Sequence, residues 1–327
     1  MSSNADKDIV DIGGGRLSNS FNDQVWKALM GKIDFPKELA YAAGMDQWIN
    51  ISEGSYQTSD ELGIIKANAR NVVSAMPDGT SIIDMGAANS TKYELYVKEF
   101  IKQGKTCSYF PLDVPYDSLL KQVKNARDKF KGVHTVGLWG EIQDGITHFQ
   151  QMKGPKLFLV LGSILYNAPW EMCIDRAKDF ANLLRPTDRL VIGQDSPPAS
   201  GDVAAVYSSY STPEYDAFIT NYLEAIHNIA GIEVDPKKAW TVNHCTETTM
   251  HWFKVDPTQK LICTKLDGHV IEADKSFMMF PSWKQSREQV ITLTNAAGLE
   301  IETLGKAENS DMYQYLIRPA HANHFSS

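Results

Sequence analysis

Residues Ser81 to Glu94 read SIIDMGAANSTKYE. An apolar run ends in the carboxylate of Asp84, Gly86 follows two residues later, and a helix-forming stretch begins near the end of the segment. A strand, a tight turn and a helix in this order are typical of ligand-binding turns in parallel sheets. The turn is therefore expected to hold a dinucleotide, a nucleotide phosphate, S-adenosylmethionine (SAM) or no ligand at all.

On both sides of this turn, strand-like and helix-like segments alternate from about residue 62 to residue 196. The apolar runs TCSYFPLDV, KLFLVLGSILYN and RLVIGQDS end in polar turns, and HTVGLWGEIQDGI has the pattern of a strand followed by a turn. The alternation predicts an α/β fold with a doubly wound parallel sheet. Ligands of such sheets bind at the carboxyl ends of the strands.

The alternation stops after Ser196. A helical stretch and three apolar stretches follow (TTMHWFKV, KLICTKL and HVIEAD), which we interpret as antiparallel strands of an insertion that shapes a substrate pocket. The strands ETLGK and MYQYLIR are predicted to complete the sheet. Before the sheet, helices are predicted from about Phe21 to Met30 and from about Ser59, the latter with Asp60 and Glu61 in its first turn.

The composition excludes several classes of protein. The chain has 327 residues, of which 43% are hydrophobic and 22% charged, and its formal net charge is −8. Without a basic stripe, nucleic acid is not an expected partner. The four cysteines form no C-x-x-C pair, so no metal site is expected. No apolar stretch is long enough for a signal core or a membrane span, which predicts a cytoplasmic protein with no membrane contact.

The composition of the turn favours SAM among the possible ligands. Only Gly86 of a G-x-G-x-x-G pattern is in place, because Ala87 and Ala88 follow it, and no phosphate-binding G-x-x-x-x-G-K-[ST] is present. SAM carries no phosphate, and its ribose needs an acid at the end of the next strand. Asp113 has that position and can accept both hydroxyls. Alternatively, Asp84 caps a helix and Asp113 begins a turn.

Four segments in order, IIDMGAANSTK, YFPLDVPYDSL, LFLVLGSILYN and FPSWK, resemble the family of SAM-dependent histidine-specific methyltransferases, known from ergothioneine synthesis. The openings DIGGGRL and FNDQVWKAL resemble its fungal branch, which methylates the α-amine of tryptophan or 4-dimethylallyltryptophan. The resemblance runs from about residue 11 to residue 317. It implies a Rossmann-like SAM methyltransferase sheet with an inserted α+β substrate-binding domain.

The resemblance also implies domain bounds and site residues. Residues 62–197 and 287–327 would form the methyltransferase domain, and residues 1–61 and 198–286 the substrate-binding domain. The cofactor-binding positions it implies are Asp84, Gly86, Ala87, Lys92, Asp113, Trp139, Gly140, Gly162 and Ser163. The substrate-binding positions are Asn167 and Tyr207 at the carboxylate, with Phe280 and Ser282 in the late loop, and the positions near the reacting amine are Tyr41 and Tyr56. Taken singly, Asn167 could cap the helix that begins near Pro169, and the tyrosines could be packing residues.

The late loop departs from the histidine-methylating members of the family. These carry a glutamate that grips the imidazole, where this chain has Phe280. An apolar wall suits an indole, so we expect N-methylation of the α-amine of tryptophan or 4-dimethylallyltryptophan. The alternatives are a betaine-forming enzyme acting on histidine or tyrosine, another methyltransferase or an oxidoreductase of the same sheet class, and an inactive SAM-fold binding protein. The expected partner is a small amino acid, and the expected state is a monomer or weak homodimer.

Overall fold

The computed structural model describes residues 8–87 and 90–320. The ends of the two predicted domains, residues 1–7 and 321–327, lie outside these ranges. The α-helices are α1 (Leu17–Leu29), α2 (Lys37–Gly54), α3 (Tyr56–Ser74), α4 (Tyr93–Lys102), α5 (Tyr116–Lys129), α6 (Ile142–Gln151), α7 (Trp170–Leu183), α8 (Val203–Ser208), α9 (Pro213–Ala230), α10 (Pro236–Ala239) and α11 (Arg287–Ala296). The strands are β1 (Ile9–Asp11), β2 (Thr80–Met85), β3 (Cys107–Asp113), β4 (His134–Thr135), β5 (Gly137–Trp139), β6 (Lys156–Val160), β7 (Arg189–Asp195), β8 (Trp240–Thr246), β9 (Met250–Pro257), β10 (Leu261–Cys263), β11 (His269–Ile271), β12 (Phe277–Trp283), β13 (Leu299–Lys306) and β14 (Met312–Pro319).

Within the described residues, nine strands form the central sheet in the order β1-β5-β3-β2-β6-β7-β14-β13, with β4 paired to β3. The strands from β1 to β7 run parallel, and β14 and β13 are added antiparallel at one edge. The predicted α/β sheet is thereby confirmed, including its last two strands. Parallel order brings the carboxyl ends of β2, β3, β5, β6 and β7 to one edge.

Helices cover the sheet on both faces. One apolar cluster joins it to α3, α4 and α5, and another joins it to α6, α7 and α11. Every residue of β6 is buried, because this strand is covered on both sides. Such a strand appears in the sequence as a continuous apolar run rather than an alternating one.

A separate apolar cluster lies under the insertion. It combines residues of α1 and α2 with α9 and with the strands β9 to β12. The insertion contains the antiparallel sheet β12-β9-β8 and the hairpin β10-β11, which confirms the predicted antiparallel strands. The hydroxyl of Tyr222 on α9 donates to the carbonyl of Pro36 at 2.6 Å and ties α9 to the start of α2.

Two local predictions are wrong. The helix expected from Ser59 begins at Tyr56, with Ser55 as its cap, so Glu61 lies beyond the first turn and is fully buried. The segment after β5, expected to be a turn, forms α6, because Glu141 and Asp144 make a reciprocal capping box. Among the described residues, no helix is both long and apolar enough to cross a bilayer.

Candidate functional site

The turn after β2 lies at the carboxyl edge of the sheet. The N–H groups of Gly86 and Ala87 donate to the carbonyl of Leu112 on β3, at 2.9 and 3.1 Å. Gly86 has φ +73°, and a Cβ there would lie 2.6 Å from Cδ1 of Ile164. The turn therefore requires glycine at this position. Ala88, where a dinucleotide-binding turn has its second glycine, lies outside the described residues.

Asp84 lies under this turn and does not cap the following helix. Its carboxylate is buried and accepts a hydrogen bond from the hydroxyl of Tyr109 at 2.9 Å. Burial raises the pKa of Asp84 to about 7, against the opposing effects of Tyr109 and Lys92. Asp84 is therefore a buried support of the turn whose charge changes near neutral pH.

Asp113 and Trp139 form the next corner of the site. Asp113 ends β3, is buried, and accepts the N–H of Val114 at 2.7 Å, while its carbonyl accepts the N–H of Gly140 at 3.2 Å. The indole N–H of Trp139 donates to the carbonyl of Val114 at 2.8 Å. The backbone of Gly14 packs directly on the indole, so the glycine-rich segment before α1 covers this corner.

Glu61 and Lys92 join the turn after β2 to the turn after β6. The ammonium of Lys92 lies 2.5 Å from the carboxylate of Glu61. Both carboxylate oxygens of Glu61 also accept the N–H of Gly162, at 3.0 and 3.2 Å. Gly162 and Ser163 both have a left-handed backbone, with φ of +72° and +60°. Glu61 thus orders the loop after β6.

These residues fit SAM. An acid suited to the ribose hydroxyls stands at Asp113, next to the Trp139 indole, and the left-handed turns at Gly86 and Gly162 keep side chains out of the space at the carboxyl edge. Lys92, partly exposed, supplies a cation between those turns. Asp84, Ala87, Gly140 and Ser163 contribute backbone or support at the same edge. The predicted cofactor residues are therefore brought together.

An aromatic cluster surrounds Phe280, the late-loop residue predicted to bind the substrate. The ring of Phe280 packs at centroid distances of 5.5 Å from Tyr41, 6.1 Å from Trp48 and 5.1 Å from Phe218. Phe280 is buried and has φ +48°, beside the irregularity that interrupts the pairing of β12 with β9. A left-handed backbone at a non-glycine residue costs energy and is characteristic of functional sites.

Asn167 lies between the sheet and the insertion. Its Oδ1 accepts the backbone N–H of Trp283 at 2.7 Å and a hydrogen bond from the ammonium of Lys37 at 3.2 Å. Helix α7 begins at Trp170 with Pro169 as its cap. Asn167 is therefore not a helix cap, and its side chain is turned to the insertion instead.

Asp195 connects the sheet to two other segments. Its Oδ2 accepts hydrogen bonds from the hydroxyl of Tyr56 at 2.9 Å, from Nε2 of Gln57 at 2.7 Å and from the ammonium of Lys284. Its N–H donates to Oγ of Ser163 at 2.7 Å. The acid at the end of β7 thus holds Tyr56 in place and pairs with the buried lysine of the late loop.

The tyrosines of α8 and the segment after it differ in position. Tyr207 is 45% exposed, and its ring packs 5.7 Å from that of His244. Tyr210 is buried, and its hydroxyl lies 2.6 Å from Oγ of Ser282. Tyr210 rather than Tyr207 therefore contacts the late loop, and the role of Tyr207 at a substrate carboxylate stays a prediction.

Sequence reasoning missed Lys37, Glu61, Tyr210 and Asp195, and it quoted Lys284 without giving it a role. Two of these residues, Glu61 and Lys37, lie in sequence patterns that could have pointed to a role. Glu61 closes the Y-x-T-x-x-E segment that begins at Tyr56, and Lys37 is a cation in a first helical turn, where acids are favoured. Asp195 is an acid at the end of a predicted strand, as Asp113 is, but its partner Tyr56 is distant in sequence. Tyr210 has no such sequence pattern, and its contact Ser282 is also distant.

The sheet and its edge are those of a SAM-dependent methyltransferase, and comparison with known proteins agrees. A family model described as histidine-specific methyltransferase, SAM-dependent, matches residues 21–319. The chain is 29% identical to ergothioneine biosynthesis protein 1 of Neurospora crassa over an alignment of 261 residues. This alignment covers 77% of the chain and 29% of the Neurospora protein. It is 22% identical over 328 residues to the 4-dimethylallyltryptophan N-methyltransferase easF of Aspergillus fumigatus, covering 95% and 97%. The solved structure of Streptomyces venezuelae DesVI matches with a TM-score of 0.39 and 13% identity, over 84% of this chain and 98% of that chain.

The chain belongs to the family of SAM-dependent histidine-specific methyltransferases. It spans nearly all of the Aspergillus relative but less than a third of the Neurospora relative. The resemblance read from the motifs is confirmed, and so are the class of enzyme, a SAM-dependent N-methyltransferase, and its cofactor, SAM.

Proposed function

We propose that this protein methylates the α-amine of an aromatic amino acid, with L-tryptophan or 4-dimethylallyl-L-tryptophan as the preferred substrate. The observation that carries the proposal is the packing of Phe280 among the rings of Tyr41, Trp48 and Phe218. An indole gains apolar contacts and favourable ring geometry in such a wall. An imidazole would find no carboxylate at this position, since Phe280 replaces the glutamate that binds the imidazole in the histidine-methylating members of the family.

The remaining late-loop groups support the same proposal. Ser282 is engaged with the hydroxyl of Tyr210, and the ammonium of Lys284 is paired with Asp195. Both of these polar side chains, which follow Phe280 in the late loop, thus have hydrogen-bond or ion-pair partners within the protein. A substrate that brings an apolar ring leaves these bonds intact, whereas a polar ring competes with them.

In the proposed reaction, the protein mainly positions the amine. SAM supplies an electrophilic methyl group on a sulfonium, so the chain needs no metal or covalent intermediate. Asn167 and Tyr207 would hold the carboxylate, and Gly86, Lys92 and Asp113 would hold the cofactor at the sheet edge. Such positioning contributes up to roughly 7–11 kcal/mol to lowering a barrier.

Tyr41 and Tyr56 have a restricted part in this chemistry. Burial raises the pKa of both phenols, so both are protonated at neutral pH. Their oxygens can accept a hydrogen bond from the amine and orient it, but they do not remove its proton as phenolates. The substrate ammonium therefore has to lose a proton to water before methyl transfer, because only the neutral amine has a lone pair that can attack the methyl carbon.

We assign cofactor binding and substrate binding to the two predicted domains, each of which consists of two segments of the chain. Residues 62–197 and 287–327 would bind SAM, and residues 1–61 and 198–286 would enclose the amino acid. The apolar cluster shared by α1, α2, α9 and the inserted strands supports this division. The strand β1 departs from it, since it extends the central sheet beside β5.

The test is an endpoint mass-spectrometric assay. Purified protein and SAM are incubated separately with L-tryptophan, 4-dimethylallyl-L-tryptophan, L-tyrosine and L-histidine. We expect a mass gain of one or more methylene units in an indole-containing sample. Methylation of histidine alone would contradict the substrate proposal, and so would methylation of tyrosine alone. As a check on the cofactor, SAM at about 100 times its Kd should stabilise the protein by roughly 2.7 kcal/mol in thermal unfolding, and NAD should not.

A further inference from the structure

Lys37 occupies an unusual place in the substrate site. It is the first residue of α2, and its ammonium lies 3.2 Å from Oδ1 of Asn167 and 5.8 Å from the ring centroid of Phe280. The side chain is only partly accessible to solvent. It therefore places a cationic group between the residue expected to hold the substrate carboxylate and the proposed wall of the aromatic pocket.

The contacts of Asn167 fix which end of its amide faces the pocket. Its Oδ1 already accepts two hydrogen bonds, from Lys37 and from the N–H of Trp283. Within the described residues, its Nδ2 donates to no protein acceptor. An amide donor and an ammonium group are thus adjacent. A carboxylate, with two acceptor oxygens and a negative charge, complements both.

The charges around Lys37 do not explain why a lysine stands there. Among the described residues it forms no salt bridge, although Glu38 and Asp34 are near enough to favour its charged form. Burial and the nearby Arg176 lower the pKa of Lys37 by more than these acids and Cys173 raise it. The pKa is therefore lowered to about 7. A cation in the first turn of a helix is also disfavoured by the helix dipole. The positive charge of Lys37 therefore does not stabilise the fold.

We propose that Lys37 and Asn167 together bind the carboxylate of the amino-acid substrate, so that Lys37 makes the enzyme select α-amino acids over the corresponding decarboxylated amines. This inference rests on the proposed function. Carboxylate binding returns to Lys37 the negative partner that the protein does not supply.

The experiment compares wild type with Lys37→Met, using L-tryptophan and tryptamine as paired substrates. A hydrogen bond to a charged group corresponds to roughly 10- to 100-fold in affinity. We expect the KM for tryptophan to rise by about that factor, while kcat and the KM for tryptamine change little. Lys37→Arg should retain most of the preference for tryptophan. The control is Lys27→Met, because Lys27 pairs with Asp23 on the exposed face of α1.

Two further readouts separate this role from a purely structural one. In wild type the KM for tryptophan should rise as the pH increases above about 7, since neutral Lys37 no longer attracts a carboxylate, and Lys37→Arg should abolish that rise. Lys37→Met should unfold at a higher temperature than wild type, because folding no longer has to bury a cation whose folded pKa is below its usual value. Lost affinity in a more stable variant cannot be attributed to misfolding.

Calorimetric binding of the four amino acids in the presence of S-adenosylhomocysteine completes the test. If wild type binds an aromatic amino acid and Lys37→Met binds it equally well, the role of Lys37 is wrong and the proposed function stands. If kcat falls while KM is unchanged, Lys37 acts on the amine rather than on the carboxylate, and the proposal is overturned. If wild type binds none of them, both proposals are wrong.

Discussion

Phe280 combines burial, aromatic packing and an unusual backbone conformation. It is buried, its ring contacts three other rings, and its backbone has φ +48°. The left-handed conformation turns the chain sharply between Met279 and Ser282, where the pairing with β9 shifts. This turn directs the aromatic ring to α2 and α9 instead of along the strand. The residue type and the local backbone therefore both determine how this ring packs in the proposed substrate pocket.

We expect Phe280→Glu to lower kcat/KM for indole substrates by about tenfold or more relative to Phe280→Leu, and to admit histidine. The introduced carboxylate would lie among rings, where an unpaired charge is strongly disfavoured, and it would favour a substrate that carries hydrogen-bond donors. The measurement is kcat/KM for tryptophan and histidine with each variant. Unchanged indole turnover together with inert histidine would mean that Phe280 does not line the pocket.

Asp113 is expected to contribute to SAM affinity through its charge. Replacing it by asparagine keeps its size but weakens the two hydrogen bonds expected with the ribose. Since such bonds are worth about 1.5–3 kcal/mol, Asp113→Asn should raise the Kd for SAM by roughly 10- to 100-fold, as measured by calorimetry. Asp117→Asn, an exposed position in the first turn of α5, is the control. Equal SAM affinity in both variants would remove Asp113 from the cofactor site.

Asp84 predicts a pH dependence of stability. Burial raises its pKa to about 7, whereas an unfolded aspartate titrates near 4, so between these pH values the folded protein holds a proton that the unfolded chain has lost. The free energy of unfolding therefore falls as the pH rises from about 4 to 7, by at most about 1.4 kcal/mol per pH unit from this group. Urea unfolding without SAM should show this fall in wild type relative to Asp84→Asn. Parallel profiles for the two proteins would contradict the assignment.

At the scale of secondary-structure elements, α3 and α4 are joined through one buried ion pair. Glu61 is fully buried on α3, and Lys92 precedes α4 with 12% of its side chain exposed. Glu61 fits tightly against the sheet, since a Cβ on Gly193 would collide with its carboxylate. The pair therefore fixes the position of α3 relative to the start of α4, and the hydrogen bonds from Gly162 to Glu61 hold the loop after β6 at the same place.

Removing Glu61 should be costly for this reason. We expect Glu61→Ala to lower the free energy of unfolding by about 3–5 kcal/mol, because Lys92 would be left nearly buried without its partner. Asp23→Ala, which breaks an exposed pair on α1, should cost less than about 1 kcal/mol. Both values come from urea unfolding. A Glu61→Ala variant as stable as Asp23→Ala would mean that water already screens the pair.

The elements that could be predicted from the sequence are those whose pattern depends on local burial. The strand β6 appears as an unbroken apolar run because helices cover both of its faces. Helix α6 was not predicted, because its start depends on the reciprocal capping hydrogen bonds of Glu141 and Asp144 rather than on an apolar pattern. For the candidate site, the motifs suggested roles for Asp113 and Asn167, and these roles stay predictions. No role was predicted for Lys37 or Glu61, since their contacts with Asn167 and Gly162 join residues that are 130 and 101 positions apart in sequence.

On the scale of the whole molecule, three segments meet at one carboxylate oxygen. Asp195 ends β7 of the central sheet, Lys284 follows β12 of the insertion, and Tyr56 and Gln57 begin α3. Lys284 keeps its charge although it is buried. Burial is the largest single influence and lowers its pKa, but Tyr210, Asp195 and Tyr56 together raise the pKa by more, so the net shift is upward. The ion pair thus couples the cofactor edge of the sheet to the late loop and to Tyr56.

This coupling predicts that stability and activity can be separated. Asp195→Asn leaves Lys284 buried without its anion, so it should lower the free energy of unfolding by about 3–5 kcal/mol and also reduce kcat. Adding Lys284→Met removes the uncompensated charge and should recover much of the stability, since an apolar pair often replaces a buried ion pair without loss.

Activity should not recover in the double variant, because the anchor for Tyr56 is weakened and the late loop has lost its tie to the sheet. The measurements are urea unfolding and kcat/KM for wild type, both single variants and the double variant. Lys254→Met, which breaks a half-exposed pair with Asp256 on β9, is the control within the insertion. A double variant with wild-type activity would show that the Asp195–Lys284 pair only stabilises the fold. A stable but inactive double variant would show that the pair positions Tyr56 and the late loop for the reaction.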